Sequence, residues 1–592
     1  MAVMPAPVRL WPGRRVRRAV QGLPDGVRVG AGVALAIGGL ALTTRPLTSL
    51  AALAVCVALG CLAVGALDLL RRDDAPVRRL TGAAWVVLGV AIVVWPGQSV
   101  GWIGLALSAA LVVTGALRLT QVRDGSWDVR VSRGALGLAE IALGVTALAW
   151  PDVTLVVVAA LFGVRLVVLG VALVLDVVAR RSLRRRQSPP SGWRRGGRLV
   201  WSGTALVLSV AVLVASALIR APVRVDDFYS ATSSHDGARS DEPGTLLRWK
   251  RFAREVPRGA EGWRILYRTS DAAGRPTLAS GLVVLPRAPG THPVVAWAHS
   301  TPGFARQCAP SLLEKPFSSG GFPDVMADVV ERGWAVVATD YAGLGTDGTQ
   351  PYLIGSGEAY SVLDSVRAAR QLVERAGRRA GGQLSDRTVV WGHSQGGGAA
   401  LWTSQLQPRY APDVPISGTA ALAPASDLVS LVRTMRSAPA GAVLSSYVVT
   451  AYARAYPDVN VSEVLRTTAR PLVSRIATRC PSEPRSLASV LTALSVQEQD
   501  VLAEDPGTGP LGRRLRENTP TDPGTSPLLL AQGDADPLVR PDAQAAYVAR
   551  LRAGGHRVDY RTYPGRDHGS LVERGSALLP ELLRWTAARF RG

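Results

Sequence analysis

The chain has few residues of the kinds that hold metals or form cross-links, with only four cysteines and six histidines in 592 residues. It contains no His-Glu-x-x-His motif and no Gly-x-x-x-x-Gly-Lys-Ser/Thr loop. These absences exclude the usual zinc protease and P-loop signatures. We therefore expect no metal, no nucleotide and no other cofactor.

Acidic residues are also scarce, with 45 Asp and Glu against 67 Lys and Arg, so the net charge is +22. The imbalance belongs mainly to residues 1–220, which hold 25 Lys and Arg against 9 Asp and Glu, whereas residues 221–592 hold 42 against 36. The basic part also contains the long apolar runs. The charge therefore indicates membrane topology rather than nucleic-acid binding.

Seven apolar segments of this basic part are near the ~20 residues that cross a bilayer as a helix. They are residues 27–43, 47–70, 79–95, 99–119, 133–150, 153–178 and 198–219. The first six form pairs joined by short turns at Pro46, Pro96 and Pro151, which are 50 and 55 residues apart. Gly65, Gly115 and Gly170 follow with the same spacings. Because the turn prolines and these glycines recur with the same spacing, the sequence predicts three copies of a helical hairpin.

Arginines occupy alternate loops of this helical region. They cluster before the first segment, between the second and third, between the fourth and fifth, and between the sixth and seventh, whereas the other loops hold only Arg45. By the positive-inside rule, the N-terminal residues 1–26 and the basic loop 181–197 are cytoplasmic. Seven spans then place residue 220 and everything after it outside the cytoplasm.

The triplicated hairpin with its proline turns resembles the HdeD-type family of small six-helix membrane proteins over residues 27–180. The resemblance implies a fold more than an activity. Within it, Glu140 and Arg165 are charges inside spans, at depths that differ by about 6 Å. Such charges are costly in lipid and usually paired. We expect an ion pair between them, either as a structural clamp or with a role in conduction or sensing.

A polar linker, residues 220–245, leads to a second domain, residues 246–592, in which apolar runs alternate with helical patterns. This alternation predicts a doubly wound, mostly parallel α/β sheet. Thr388 to Trp391 reads as a buried strand and Gly396 to Leu406 as a helix, with Gly392-His-Ser-Gln-Gly396 between them. A sharp strand-to-helix turn of this kind exposes its central residue. It is the nucleophile elbow of α/β hydrolases, and Ser394 is its predicted nucleophile.

An acid and a base follow in the chain order of this fold. Asp536 lies in Gly-x-x-Asp-x-x-Val after an apolar strand and is the predicted acid, with Asp534 as the nearer, less favoured alternative. His568, in a loop with glycines after the last strand, is the predicted general base. The other histidines are in the linker, the elbow or beside strands. Of these, His292 and His556 are expected to be solvated.

The loop from His299 to Gly303 ends another strand and resembles a His-Gly-type oxyanion loop, with Ser300 in place of the usual glycine. We expect the oxyanion to be bound by two backbone N–H groups, one from Gln395 and one from this loop, at Thr301.

With these motifs, the second domain resembles the secretory lipase family, which contains fungal lipase A. The match rests on features that are not general to hydrolases. These are Asp227-Phe-Tyr229, the 299–303 loop, Cys308-Ala-Pro-Ser311, Thr339-Asp-Tyr-Ala-Gly-Leu-Gly-Thr346, the elbow, and the Asp and His motifs. The resemblance implies hydrolysis of carboxylic esters, often acylglycerols.

Residues 425–522 separate the sixth strand from the acid and hold helical stretches near 427–436, 442–455, 461–477 and 484–504, which predict a helical cap over the site. Cys308 and Cys480 are the two cysteines outside the apolar segments. In an oxidising compartment they could form a disulfide from the oxyanion loop to the cap.

The sequence thus predicts a membrane-anchored, extracytoplasmic serine esterase or lipase acting on ester or lipid substrates. Two alternatives stay open. One is acyl transfer to an alcohol such as a cell-envelope lipid. The other is a stress-related membrane protein whose hydrolase fold only binds ligands.

Overall fold

Within the residues before 220 that the structure describes, the apolar stretches form helices in the computed structural model of the protein. The chain divides into a unit that includes Met1–Ala221 and a unit that comprises most of the chain from Pro222 onward. Apart from isolated positions before residue 91 and at 163, 164 and 177, the structure describes residues 24–44, 96–123, 126–150, 166–175, 191–219, 225–230, 242–376, 382–435, 441–466, 469–480 and 501–591.

The N-terminal unit is helical, as predicted. Its described helices are α1 (Asp25–Thr44), α2 (Pro96–Thr120), α3 (Trp127–Ala149), α4 (Leu166–Leu175) and α5 (Ser191–Ile219). Among the described residues, two segments are long and apolar enough to cross a membrane, Trp127–Ala149 and Leu199–Ala217. The predicted segments 47–70 and 79–95 lie largely outside the described residues, and the described part of 153–178 is mainly α4.

Glycines bring the helices of this unit into backbone contact at equivalent positions of the predicted repeat. A Cβ on Gly115 of α2 would lie 2.6 Å from the carbonyl oxygen of Gly137 of α3, and a Cβ on Gly32 of α1 would lie 2.8 Å from that of Gly170 of α4. Gly115 and Gly170 are one 55-residue period apart, and Gly32 and Gly137 are two periods apart. The sequence period is therefore also a period of helix packing, of the close kind that small residues allow.

Of the predicted intramembrane ion pair, only Glu140 can be placed, because Arg165 lies outside the described residues. The described partner of Glu140 is Arg118, whose Nε lies 2.9 Å from Glu140 Oε2. This pair joins α3 to α2, the preceding helix of the chain. The sequence does not indicate this pairing, because Arg118 lies at the end of its apolar segment.

The second unit is built on one nine-stranded sheet in the order β1-β2-β3-β5-β4-β6-β7-β8-β9. The strands are β1 (Leu246–Phe252), β2 (Ala260–Ser270), β3 (Pro276–Pro286), β4 (Thr291–Ala298), β5 (Ala335–Ala342), β6 (Gln383–His393), β7 (Ile416–Leu422), β8 (Leu528–Gly533) and β9 (Val558–Tyr563). The first three strands pair antiparallel, as do β3 and β5, and all other pairs are parallel. The mostly parallel sheet predicted from the sequence is confirmed.

Helices cover both faces of this sheet. The helices of the unit are α6 (Pro316–Ser319), α7 (Met326–Glu331), α8 (Gly355–Ala376), α9 (Gln395–Tyr410), α10 (Leu428–Met435), α11 (Gly441–Ala455), α12 (Val461–Val464), α13 (Arg470–Ile476), α14 (Gly509–Glu517), α15 (Pro541–Ala553) and α16 (Leu578–Arg591). Apolar side chains of α8 and α9 pack on one face and those of α7 and α16 on the other. Strand β5 is buried along its whole length, as expected of a strand with both faces covered.

Three details differ from the sequence prediction. Strand β1 was not predicted, because its Arg and Lys residues give it no apolar run. Strand β6 begins at Gln383 rather than near Thr388, because its polar first residues extend the pairing with β4. His292 is only 4 % exposed rather than solvated, since its ring nitrogens lie 2.7 Å and 3.0 Å from the carbonyl oxygens of Gly333 and Ala288.

The segment between β7 and β8 contains helices α10 to α14, in the region predicted to form a cap. The single helix expected over 461–477 is two helices, α12 and α13, separated at Leu465, which forms a β-bridge with Leu502. Of the last predicted cap helix, 484–504, residues 484–500 lie outside the described residues, and 501–504 are not helical.

Part of the predicted linker belongs to the second unit. Asp226 caps the 3₁₀ turn Asp227–Tyr229, and its carboxylate accepts a hydrogen bond from Arg264 at 2.9 Å. Tyr229 is fully buried, with its hydroxyl 2.7 Å from Ser311 Oγ. This docked turn attaches the polypeptide to the sheet some 20 residues before the first strand begins.

Candidate active site

Ser394 lies at the turn between β6 and α9 with a backbone φ of 58°, in the left-handed region that non-glycine residues rarely adopt. Its backbone N–H donates to the carbonyl oxygen of Leu422 at 2.9 Å, and its own carbonyl accepts from Ala425 at 2.9 Å. A Cβ at Gly392 would collide with the carbonyl of Gly396. The strained turn is therefore held by neighbouring backbone and by glycines, as a nucleophile elbow requires.

The structure brings the three residues predicted as nucleophile, base and acid together at the carboxyl ends of the strands. His568 Nε2 lies 2.8 Å from Ser394 Oγ, and His568 Nδ1 lies 2.8 Å from Asp536 Oδ2. The serine is 8 % exposed, the aspartate 3 %, and the histidine is partly exposed. One imidazole therefore bridges a hydroxyl and a buried carboxylate.

The Asp536 carboxylate is well supplied with donors. Burial disfavours its charge, but the hydrogen bond and charge of His568 and the backbone N–H groups of Leu538 and Val539 hold the pKa of the carboxyl below its ordinary value. Both backbone donors lie 2.9 Å from Oδ1. Asp534, the alternative acid, is exposed and accepts a hydrogen bond from the backbone of Gly565 at 2.6 Å, which is the role of a turn residue.

The two predicted oxyanion donors lie beside each other. The side chain of Thr301 donates from Oγ1 to Gln395 Oε1 over 3.2 Å. The backbone N–H of Ser300 is occupied by the carbonyl oxygen of Gly320 at 2.8 Å, whereas that of Thr301 has no acceptor within the described residues. Gln395 is the first residue of α9, so its N–H points away from the helix hydrogen bonds. Both N–H groups can therefore bind an incoming oxygen.

A second imidazole packs against the first. His393 Nε2 donates to the carbonyl oxygen of His568 at 2.9 Å, and the ring centroids are 4.8 Å apart. Burial, together with the charge that His568 can carry, lowers the pKa of His393 to about 3, against the hydrogen bond to His568 and the charge of Asp536. The elbow residue is thus a neutral donor that fixes the backbone of the base.

This burial predicts a specific acid sensitivity. Because the pKa of His393 rises from about 3 when folded to about 6.5 when unfolded, the unfolded chain binds the extra proton and stability falls as pH drops through this window. Between pH 7 and 5 the wild type should lose about 2 kcal/mol more than His393→Gln, which keeps a donor but cannot titrate. Guanidinium unfolding of the full chain in detergent measures both, and equal losses would contradict the assignment.

Several residues without a predicted role form a buried polar cluster behind the oxyanion loop. Asp340 accepts hydrogen bonds from the backbone N–H of Ser311 at 2.9 Å, from the Ser311 hydroxyl, and from Ser280 Oγ at 2.5 Å. Tyr229 reaches the same serine. Motifs that distinguish the sequence therefore meet at one buried carboxylate, which holds the segment around Ser311.

Cys308 and Cys480 form a disulfide, and both are fully buried. It joins the segment that follows the oxyanion loop to the residues just after α13. A hydrogen bond from Gln307 to the carbonyl oxygen of Thr478, 2.9 Å long, lies beside it. The loop and the cap are thus covalently joined close to the site.

The residues around this site match a known family. Residues 324–592 match the secretory lipase model, and residues 80–131 and 135–219 match a short repeat of unknown function, DUF308. A probable inactive lipase of Mycobacterium tuberculosis is 28 % identical over 393 residues, 62 % of this chain and 82 % of that protein. Lipase 1 of Candida albicans is 26 % identical over 226 residues, 36 % of this chain and 46 % of that lipase.

Solved structures of a lipase and of an esterase are also similar to part of this chain. Lipase A of Candida antarctica has a TM-score of 0.48 at 18 % identity, over 58 % of this chain and 81 % of that one. The rice cell wall degrading esterase of Xanthomonas oryzae has a TM-score of 0.47 at 19 % identity, over 58 % and 96 %. This chain spans about half the length of the Candida albicans lipases that it matches. The family matches confirm both resemblances drawn from the sequence: the second half of this chain is similar to the secretory lipases, and the first half to the DUF308 repeat proteins.

Proposed function

We propose that this protein is a serine hydrolase of carboxylic esters, a lipase or esterase, with Ser394, His568 and Asp536 as its catalytic triad. The observation that carries the proposal is the unbroken hydrogen-bond chain through these side chains, with both links 2.8 Å long. A strained elbow accompanies it, together with two backbone N–H groups, those of Thr301 and Gln395, that have no acceptor in the described part of the chain. The lipase-like fold favours an ester or lipid as substrate, and the natural acyl group is not specified by these residues.

The chemistry follows from the positions of the donors. Ser394 Oγ attacks the ester carbonyl carbon while His568 Nε2 takes its proton, and the carbonyl oxygen becomes an oxyanion held by the N–H groups of Gln395 and Thr301. His568 then returns the proton to the departing alcohol, which leaves an acyl-serine. Water attacks the acyl carbon while His568 accepts its proton, and His568 then returns that proton to Ser394 Oγ as the C–O bond to the serine breaks and the acid is released. Asp536 stabilises the imidazolium in both halves.

The anchoring of the enzyme is part of the same proposal. We infer that residues 27–180 form six spans and 198–219 a seventh, with the hydrolase domain from about residue 246 outside the cytoplasm. The two apolar helices, the DUF308 match and the alternation of arginine-rich loops support this topology. The disulfide suits an oxidising compartment.

A relative with the name of an inactive lipase makes activity the first thing to test. The full chain in membranes should react with a fluorophosphonate probe, and Ser394→Ala should not. A chain-length series of 4-nitrophenyl esters then defines the preferred acyl group. If the wild type is neither labelled nor active on any ester of the series, the hydrolase proposal is wrong and a ligand-binding role replaces it.

A further inference from the structure

A buried carboxylic acid next to the proposed oxyanion site has no part in the triad. Glu358 lies in the first turn of α8 and is 1 % exposed. Its Oε1 accepts hydrogen bonds from Gln395 Nε2 at 2.7 Å and from the backbone N–H of Leu353 at 3.0 Å. Among the described residues no cationic side chain forms an ion pair with it. A buried carboxyl group without a counter-charge needs an explanation.

The hydrogen bonds of Glu358 lead directly to both oxyanion residues. The Gln395 side chain that it holds accepts a hydrogen bond from Thr301 Oγ1 over 3.2 Å, and Tyr352 OH lies 3.1 Å from the same hydroxyl. Gln395 is 1 % exposed and Tyr352 is equally buried. One line of side chains, from Glu358 through Gln395 to Thr301, therefore connects the two backbone N–H groups to a single buried residue.

We propose that Glu358 is a positioning residue that aligns the N–H groups of Gln395 and Thr301 through the Gln395 side chain, and that it must be uncharged for the site to stabilise an oxyanion. The proposal rests on the hydrolase function proposed above. A neutral carboxylic acid aligns the donors without adding charge. An ionised one would place a negative charge next to the oxyanion, at an electrostatic cost that low polarity increases.

The surroundings of Glu358 favour its neutral form. Burial raises the pKa of Glu358 to about 8, although the hydrogen bonds from Gln395 and Leu353 lower it. The titratable groups that face it from other elements are Tyr341 of β5, Tyr352 of the preceding loop and Tyr452 of α11. Burial raises the pKa of each of these tyrosines well above its ordinary value, so they stay neutral and supply no charge.

The test compares pH profiles of kcat for the full chain in detergent, between pH 6 and 10. The substrate is the best 4-nitrophenyl ester of the series, read where phenol and phenolate absorb equally. The wild type should lose about tenfold in kcat with a midpoint near pH 8, as Glu358 ionises. Glu358→Gln keeps the shape of the neutral acid, so it should stay active at pH 7 and lack this alkaline decline.

Truncation and a matched control complete the test. Glu358→Ala frees the Gln395 side chain, so kcat at pH 7 should fall about 10- to 100-fold with little change in KM. Asp364→Asn removes another buried carboxyl group of α8, which contacts Thr269 and Tyr410 away from the site, and should keep the alkaline decline.

The outcomes separate the two proposals. A wild type that is labelled by the fluorophosphonate but shows no alkaline decline, or the same decline in Glu358→Gln, would overturn the positioning role alone. A wild type that is neither labelled nor active overturns the hydrolase function and the positioning role with it. If Glu358→Ala does not fold, the comparison of the Gln variant with wild type still decides.

Discussion

Ser394→Ala is expected to lower kcat for ester hydrolysis by about 10⁶-fold with no loss of folding, because removing one member of a triad removes nearly all that the triad contributes. The serine side chain makes one described hydrogen bond, to His568, so the elbow geometry does not depend on it. What remains is the rate that the oxyanion donors supply by binding alone. Rates are measured with the preferred 4-nitrophenyl ester, and folding by circular dichroism.

Removing the acid should lower kcat less than removing the nucleophile does. Asp536→Asn is expected to lower kcat by about 10⁴-fold. The amide oxygen would stay on the backbone N–H groups of Leu538 and Val539, so the NH₂ group would face His568 Nδ1 and favour the wrong imidazole tautomer. Asp534→Asn is the matched control, since it changes the same group two residues earlier at an exposed turn, and should keep nearly full activity. If both variants are equally active, or if the control is the one that fails, the acid has been wrongly assigned.

The parts of this site that could be predicted are those in which several constraints fall within a few neighbouring residues. The elbow needs a strand, two glycines, a serine and a helix in one short stretch. Residues 388–400 meet all of these requirements in only one arrangement. Asp536 and His568 directly follow strands at the same edge of the sheet. Local motifs at strand ends were therefore enough to bring together residues 174 positions apart.

The parts that could not be predicted depend on contacts between distant segments. Glu358 lies in an amphipathic helix where nothing local separates a buried glutamate from a solvated one. His292 was expected in solvent because one of its carbonyl partners, Gly333, is 41 residues away and cannot be read from its neighbours. The same limit applies to Arg118, whose pairing with Glu140 depends on which helices pack together.

The buried cluster around Asp340 leads to a large expected effect on stability rather than on activity. Its carboxylate accepts from two hydroxyls and one backbone N–H, and it is 1 % exposed. Asp340→Ala removes the acceptor of the Ser311 N–H and the main acceptor of both hydroxyls in a dry interior, where an unpaired donor costs about 1–3 kcal/mol. We expect the variant to lose about 3–5 kcal/mol in the free energy of unfolding.

Guanidinium unfolding of the full chain in detergent, followed by tryptophan fluorescence, measures this loss. Asp347→Ala is the matched control, because Asp347 is a nearby exposed carboxylate in a surface ion pair with Arg306 at 2.6 Å, and such pairs contribute about 0–1 kcal/mol. Tyr229→Phe should fall between them at about 1 kcal/mol, since it removes one hydroxyl from Ser311 and keeps the ring buried. A loss for Asp340→Ala no larger than that of the control would mean that the hydrogen bonds of this buried carboxylate do not stabilise the fold.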